Sequence, residues 1–256
     1  MELFDTHCHL DFPVFDKDRK LLIEKSNEHG IKNILIPSIK KEDWRVIRMH
    51  VALHKSLHAA LGLHPMFIDE HKEQHLHDLE LALNLPPVIA VGEIGLDFYE
   101  KGYNKEKQEH FFRAQLKLAK NKQLPIILHV RKAHDEVLKH LRLSQFAEGG
   151  IVHAFNGTLP QAKLYMAKGF KLGFGGTMTF ARSVKIRELA KTLPLEAIVL
   201  ETDAPDMVPS SSTSTRNTPV HLLDNFRVLC QLREESPSQI AKTTTLNAKT
   251  ALRLAK

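Results

Sequence analysis

The stretch Leu3-Phe4-Asp5-Thr6-His7-Cys8-His9-Leu10-Asp11 opens the chain with a short apolar run that ends in polar groups. It reads as a buried strand whose far end carries chemistry. A strand turns successive side chains to opposite faces, so His7 and His9 share one face and Cys8 takes the other. The two imidazoles, about 7 Å apart along the strand, can converge on one metal ion. In a chain with 16 histidines such a pair can arise by chance, so its weight rests on what the later strand ends carry.

Further apolar runs follow the first (3–7) at residues 33–37, 59–63, 88–94, 124–130, 150–153, 170–174 and 197–200. Each is followed by sequence of helical character. A helical stretch through Leu21, Leu22 and Ile23 stops at Gly30, and another runs through Trp44 and Ile47. Helical patterns then cover 76–83, 105–122, 135–143, 160–168 and 183–192. After a Ser/Thr/Pro-rich loop at 209–219, two more occupy 220–233 and 238–254. Repeated β-then-α units imply parallel strands, because each crossover must return to the same edge. Eight such units in 256 residues predict a single-domain (β/α)8 TIM barrel. A doubly wound open sheet is the rival. It is disfavoured because no Gly-x-Gly-x-x-Gly follows the first run and the polar residues are spread over many strand ends.

Composition narrows the classes further. A 43% hydrophobic and 26% charged content is ordinary for a globular protein. No apolar run approaches the roughly 20 residues of a membrane span. The start lacks the pattern of a secretory leader, so a cytoplasmic location is the expectation. The two cysteines, Cys8 and Cys230, make neither a disulfide framework nor a Cys-x-x-Cys site. A net charge of +6 is compatible with a polyanionic partner, although Lys and Arg form no basic block. A monomer without a membrane or an obligate protein partner is expected.

In a barrel of this kind the C-terminal strand ends form the active face. Those ends carry His7 and His9, His64, Glu93, His129, His153 and Asp203. Other histidines, such as His29, His50, His71, His75, His77 and His110, fall on helical or loop sequence and are read as solvated surface. Even four of these five histidines with the two carboxylates exceed the needs of one tetrahedral zinc. They suit two ions about 3.5–4 Å apart that share a carboxylate and hold a bridging water. That chemistry is hydrolysis with hydroxide as nucleophile. No Gly-x-Ser-x-Gly elbow competes with it.

The residues resemble the TatD-type metal-dependent deoxyribonucleases, a branch of the amidohydrolase-like barrels. The likeness runs nearly end to end. It is carried by Asp5-Thr6-His7-Cys8-His9-Leu10-Asp11, Gly62-Leu63-His64-Pro65, Gly92-Glu93-Ile94-Gly95-Leu96-Asp97, Leu128-His129, His153-Ala154-Phe155-Asn156-Gly157, Gly173-Phe174-Gly175-Gly176-Thr177 and Leu200-Glu201-Thr202-Asp203-Ala204-Pro205. Arg216-Asn217-Thr218-Pro219 fits the family's Arg-x-x-Pro element. The resemblance implies that His7, His9 and Asp203 bind one divalent ion (Mg²⁺, Mn²⁺ or Zn²⁺), that Glu93 bridges, and that His129 and His153 bind a second. Asp203 and Glu93 are then the catalytic carboxylates, with Asp203 accepting the proton of the attacking water.

By the same likeness His64 contacts substrate phosphate or a bound water. Arg131 and Lys132, which follow a ligand strand, and Arg182, after the Gly-rich seventh run, are candidate phosphate contacts by position. Tyr99 is a candidate platform for a base, and Glu201 holds a ligand or loop from behind. DNA is the implied substrate, cut by a 3′–5′ exonuclease. The alternatives are a hydrolase of a small phosphoester, cyclic amide or lactone on the same dinuclear site, and a nucleic-acid-binding protein without catalysis. The chain departs from the family at its last helix, where Asn247 is followed by Leu252 and no Phe. That departure bears on packing more than chemistry.

Overall fold

The computed structural model describes residues 1–99, 102 and 104–254. Strands and helices alternate as β1 (Leu3–Asp5), α1 (Arg19–Glu28), β2 (Ile31–Pro37), α2 (Asp43–Leu53), β3 (Leu57–Leu61), α3 (Glu73–Ala82), β4 (Val88–Asp97) and α4 (Lys105–Asn121). The second half continues with β5 (Ile126–Arg131), α5 (His134–Leu143), β6 (Gly150–Val152), α6 (Leu159–Ala167), β7 (Phe170–Phe174), α7 (Val184–Thr192) and β8 (Ile198–Leu200). Helices α8 (Leu222–Leu232) and α9 (Pro237–Ala251) end it. Among the described residues the eight strands form one parallel sheet in sequence order. The ring closes just beyond the named strands. Thr6 N donates to Leu200 O at 3.0 Å, His9 N donates to Ala204 O at 2.8 Å, and Cys8 bridges Ala204 in parallel. The barrel expected from the eight β-then-α units is therefore the fold.

Local sequence explains the element ends. The Asn104 side chain accepts the Lys107 amide at 2.9 Å and starts α4, whose Phe112, Leu116 and Ala119 form the buried stripe. Thr158 and Gln161 make a reciprocal capping box at the start of α6. Gly30 follows α1 with φ of +88°, and a Cβ there would press on the Met1 carbonyl. α3 begins earlier than the expected 76, because its first turn, Glu73-Gln74-His75, is polar and shows no apolar period.

The alternation of strand side chains builds two cores. Outward residues such as Leu3, Ile34, Leu61, Ile126 and Leu128 pack against the helices. Inward, Phe4, Leu35, Ala60, Ala90, Ile127, Ile151 and Val199 form a plug, which α9 completes with Ala248, Ala251 and Leu252. The family departure in the last helix thus lands in this plug. Asn247 in the same helix donates to Leu195 O and Ile198 O, both at 2.8 Å, tying α9 to the approach to β8.

His58 sits near the plug, stacked on Phe4 at 5.4 Å and hydrogen-bonded to Asn33 Oδ1 at 2.9 Å. Burial, with Lys249 nearby, pulls its pKa down to about 4. The unfolded chain binds this proton near pH 6.5, so between about 6.5 and 4 it binds more protons than the native state. The contribution is intact above that window and is lost as pH falls through it. Melting temperatures at pH 7 and pH 5 will therefore drop less in His58→Gln than in the wild type.

His71 corrects the surface reading of the helical and loop histidines. It is buried, and its Nε2 lies 2.9 Å from the His64 carbonyl, behind the turn that follows β3. His29, His77 and His110 are exposed. Among the described residues no helix is long and apolar enough to cross a membrane.

Candidate metal centre

The plug residues point to the next inward positions. Two residues beyond Ile127, Ile151 and Val199 come His129, His153 and Glu201, so period two carries them into the mouth above the plug. β4 needs a correction to that count. Its pairing register with β5 shifts between Val91 and Ile94, and both of those residues face the outer core. The extra residue turns Glu93 inward, and Asp97, four positions on, shares its face. Past β1, Cys8 is fully buried on the outer side, while Cys8 N bonds Leu35 O at 3.0 Å and Asp203 N bonds His7 O at 2.8 Å. His7 and His9 thus project together, as alternation requires. Asp5 fastens this corner: its carboxylate accepts the Thr202 amide at 2.9 Å and the Thr202 hydroxyl at 2.6 Å.

The side chains meet around Glu93, which is 2% exposed. Its Oε2 lies 3.0 Å from His7 Nε2 and 3.7 Å from His9 Nε2. Its Oε1 lies 3.0 Å from His129 Nδ1 and 3.2 Å from His64 Nε2. Asp203 Oδ1 is 3.7 Å from Nε2 of both His7 and His9, and its Oδ2 is 3.7 Å from His153 Nε2. His153 Nδ1 faces Glu201 Oε1 at 3.0 Å. Three overlapping donor triads result: His7-His9-Glu93, His7-His153-Asp203 and His64-Glu93-His129.

This donor set fits divalent cations on two physical grounds. Nε2 of His7 and of His9 are only 3.3 Å apart and aim at the same carboxylate, so at most one can carry a hydrogen between them. Burial holds His7 well below its usual pKa and brings His9 to about 4, leaving both neutral with lone pairs free to ligate. The second ground is charge. Glu93, Asp97, Glu201 and Asp203 crowd one buried mouth, and among the described residues their ion-pair partners are histidines, with no Lys or Arg. Burial drives Asp203 up, His153 pulls it back, Glu93 and Glu201 push again, and it settles near 7. Burial opposes the charge on His153, yet Glu201 and Asp203 outweigh it and raise that imidazole to about 10. Four carboxylates in one buried mouth, offset on the protein side mainly by imidazoles, suit metal cations.

The sequence profile described as TatD related DNase matches residues 4–253. The chain belongs to the TatD-related DNase family. It is 39% identical over 248 residues to the uncharacterized metal-dependent hydrolase YjjV of Escherichia coli, covering 96% of each chain. The crystal structure of that TatD homologue superposes with a TM-score of 0.95 at 38% identity, covering 99% of this chain and 98% of the other. The 3′-5′ ssDNA/RNA exonuclease TatD of Erwinia billingiae is 31% identical over 259 residues, covering 98% of this chain and 99% of its own. As a member of this family the chain is a metal-dependent hydrolase.

Within this TatD-type mouth the expected ligands His7, His9, Glu93, His129, His153 and Asp203 all converge. His129 and His153, the pair that the resemblance assigns to one ion, have ring centroids 6.5 Å apart, and His153 stacks on His7 at 3.6 Å with Glu201 behind it. His64 takes the place beside Glu93 and His129. The mouth opens into a cavity of about 470 Å³ bounded by His129, His153, Asp203, Phe155, Gly175 and Met207. Arg131 lines it too, with its guanidinium 3.7 Å over the exposed Tyr99 ring. Lys132 faces a separate concavity with His134 and Asp135. Arg182 lies 5.1 Å over Phe180 and is not among the residues lining the cavity.

Sequence reading named Glu201, which stands behind His153, but passed over two other residues that brace this site. Asp97 binds His129 from behind, and its signal was present: it is four residues after Glu93 on one strand, hence on the same face. Asn217, inside the Arg-x-x-Pro element, is fully buried and donates to Thr202 O at 2.8 Å, Asp206 O at 2.7 Å and Met207 O at 3.2 Å. No pattern in the sequence announces that role. Asn217→Ala leaves these carbonyls without their donor and will cost about 2–3 kcal/mol, read as a lower denaturation midpoint.

Proposed function

We propose that the chain is a two-metal phosphodiesterase that shortens single-stranded nucleic acid from its 3′ end, with DNA as the first substrate to test. The observation that carries this reading is the division of Glu93, whose two oxygens face two separate donor sets. A carboxylate shared in this way suits a pair of divalent ions, Mg²⁺, Mn²⁺ or Zn²⁺, and His7, His9 and Asp203 would hold one while His129, with His64 or His153, would hold the other. When bound, the ions supply Lewis acidity toward a phosphoryl oxygen and offset its developing charge.

The chain's own groups do the rest. Asp203 lies on the cavity wall, a carboxylate placed to accept a proton from an attacking water. Arg131 offers a forked cation to a phosphate at the rim, and Tyr99 a ring face to a base. Support for a nucleic-acid substrate comes from the relatives named as exonucleases and from the net charge of +6.

The test uses metal-stripped protein re-supplied with Mg²⁺, Mn²⁺ or Zn²⁺ and single-stranded oligonucleotides labelled at either end. The expected result is early release of a 3′ label and a descending ladder from a 5′ label. Absence of cleavage with every metal, in protein that binds two ions, would overturn the nuclease reading and direct the search to small phosphoesters and cyclic amides.

A further inference from the structure

We propose that Asp97 is a positioning residue for the metal centre, fixing the tautomer of His129 so that Nδ1 presents its lone pair to the Glu93 side. This rests on the two-metal reading above. Asp97 is fully buried at the end of β4, and its Oδ2 lies 3.0 Å from His129 Nε2. The opposite ring nitrogen, Nδ1, lies 3.0 Å from Glu93 Oε1. An imidazole that donates Nε2–H to a carboxylate keeps Nδ1 free as a ligand, and the anion behind it raises its basicity.

Asp97 is itself held on three sides. Its backbone amide donates to Gln108 Oε1 of α4 at 2.9 Å. Its Oδ1 accepts the Tyr99 amide at 2.9 Å, so rotation of the carboxylate would orphan that donor. Residues Gly95 and Asp97 pair in register with His129 and Arg131 of β5, which locks the strand positions of both partners. The carboxylate therefore has one orientation, and with a cation on the Glu93 side it leaves the His129 hydrogen on Nε2. Tyr99, tied to Asp97 through its amide, also carries the Arg131 guanidinium on its ring, so the same carboxylate joins the cavity rim to the ligand.

Asparagine distinguishes this role from packing. In Asp97→Asn the amide oxygen can keep the Tyr99 bond, which turns the NH₂ group toward His129 Nε2. Two donors cannot face each other, so the His129 hydrogen moves to Nδ1 and blocks the ligand position. Titration of metal-free protein with Co²⁺, followed by calorimetry and by the visible absorption of the bound ion, should show two ions in the wild type. In Asp97→Asn the affinity for one ion should fall roughly 10- to 100-fold while the other is unchanged. Wild-type affinity for both ions in the variant would overturn the inference. A wild type that binds no ions would overturn the two-metal reading instead.

A second measurement needs no variant. Long-range ¹H–¹⁵N spectra of the Zn²⁺-loaded wild type, with ¹⁵N-histidine, should show His129 protonated at Nε2. Protonation at Nδ1 would sink the proposal even if Asp97→Asn failed to fold.

Discussion

Glu93→Gln will lower metal-dependent hydrolysis by roughly 10³-fold and leave the fold intact. Glutamine preserves the shape of the side chain, so the contacts of β4 and the buried volume are unchanged. What it removes is the negative charge that faces His7 and His9 through one oxygen and His64 and His129 through the other. Burial opposes that charge, yet the surrounding imidazoles, His7 and His64 foremost, hold Glu93 well below the usual carboxylate range. A carboxylate so committed to its charged form is the group around which cations assemble. The amide can offer its oxygen to only one donor set and turns an NH₂ toward the other. Losing a shared ligand forfeits several kcal/mol of charge stabilisation, and each 1.36 kcal/mol is about tenfold in rate. Steady-state rates on an end-labelled oligonucleotide, beside circular dichroism of the same sample, check this. Activity within tenfold of wild type would refute the central place given to Glu93.

The largest effect on stability is expected at Gly95. Its φ of +149° lies outside the usual range for side-chain-bearing residues. A Cβ there would stand 2.9 Å from the carbonyl carbon and 3.1 Å from the backbone nitrogen of His129, and closer still to its carbonyl oxygen. Backbone atoms within a parallel ladder cannot swing aside as a flexible side chain would. Gly95→Ala must therefore part β4 from β5 at the register Gly95↔His129. Strain and overpacking together cost about 3–5 kcal/mol, a fall in melting temperature of about 10 °C. Because that register also holds Asp97 and Glu93 against His129, metal affinity should fall along with stability. Calorimetric scans with and without Zn²⁺ would show both, and a variant that melts within 2–3 °C of wild type (about 1 kcal/mol) would contradict the steric argument.

Most of the fold was legible because its physics is local. The short apolar runs, the amphipathic segments between them and the helix stop at Gly30 each depend on neighbours within a few residues. Parallel pairing then follows from the β-then-α order alone. The ligand candidates were legible for the same reason. His7, His9, Glu93, His129, His153 and Asp203 all end apolar runs, and in a parallel barrel every such end lies on one face. His71 misled because a histidine after a strand looks solvated until the turn packed on it is known. Arg131, Lys132 and Arg182 looked alike in sequence, but only Arg131 lines the cavity beside the ligands.

By itself, then, the sequence determined the barrel, the face that carries the chemistry and the residues able to ligate there, since strand period and chain order are properties of neighbours along the chain. Only the tertiary structure decided how those residues group. The register shift in β4 turns Glu93 inward, Glu201 draws His153 onto His7, and Asp97 sets the orientation of His129. Each of these depends on contacts between strands far apart in sequence. Hydrogen-bond direction and charge balance are resolved there, at distances of a few ångströms that no periodicity encodes.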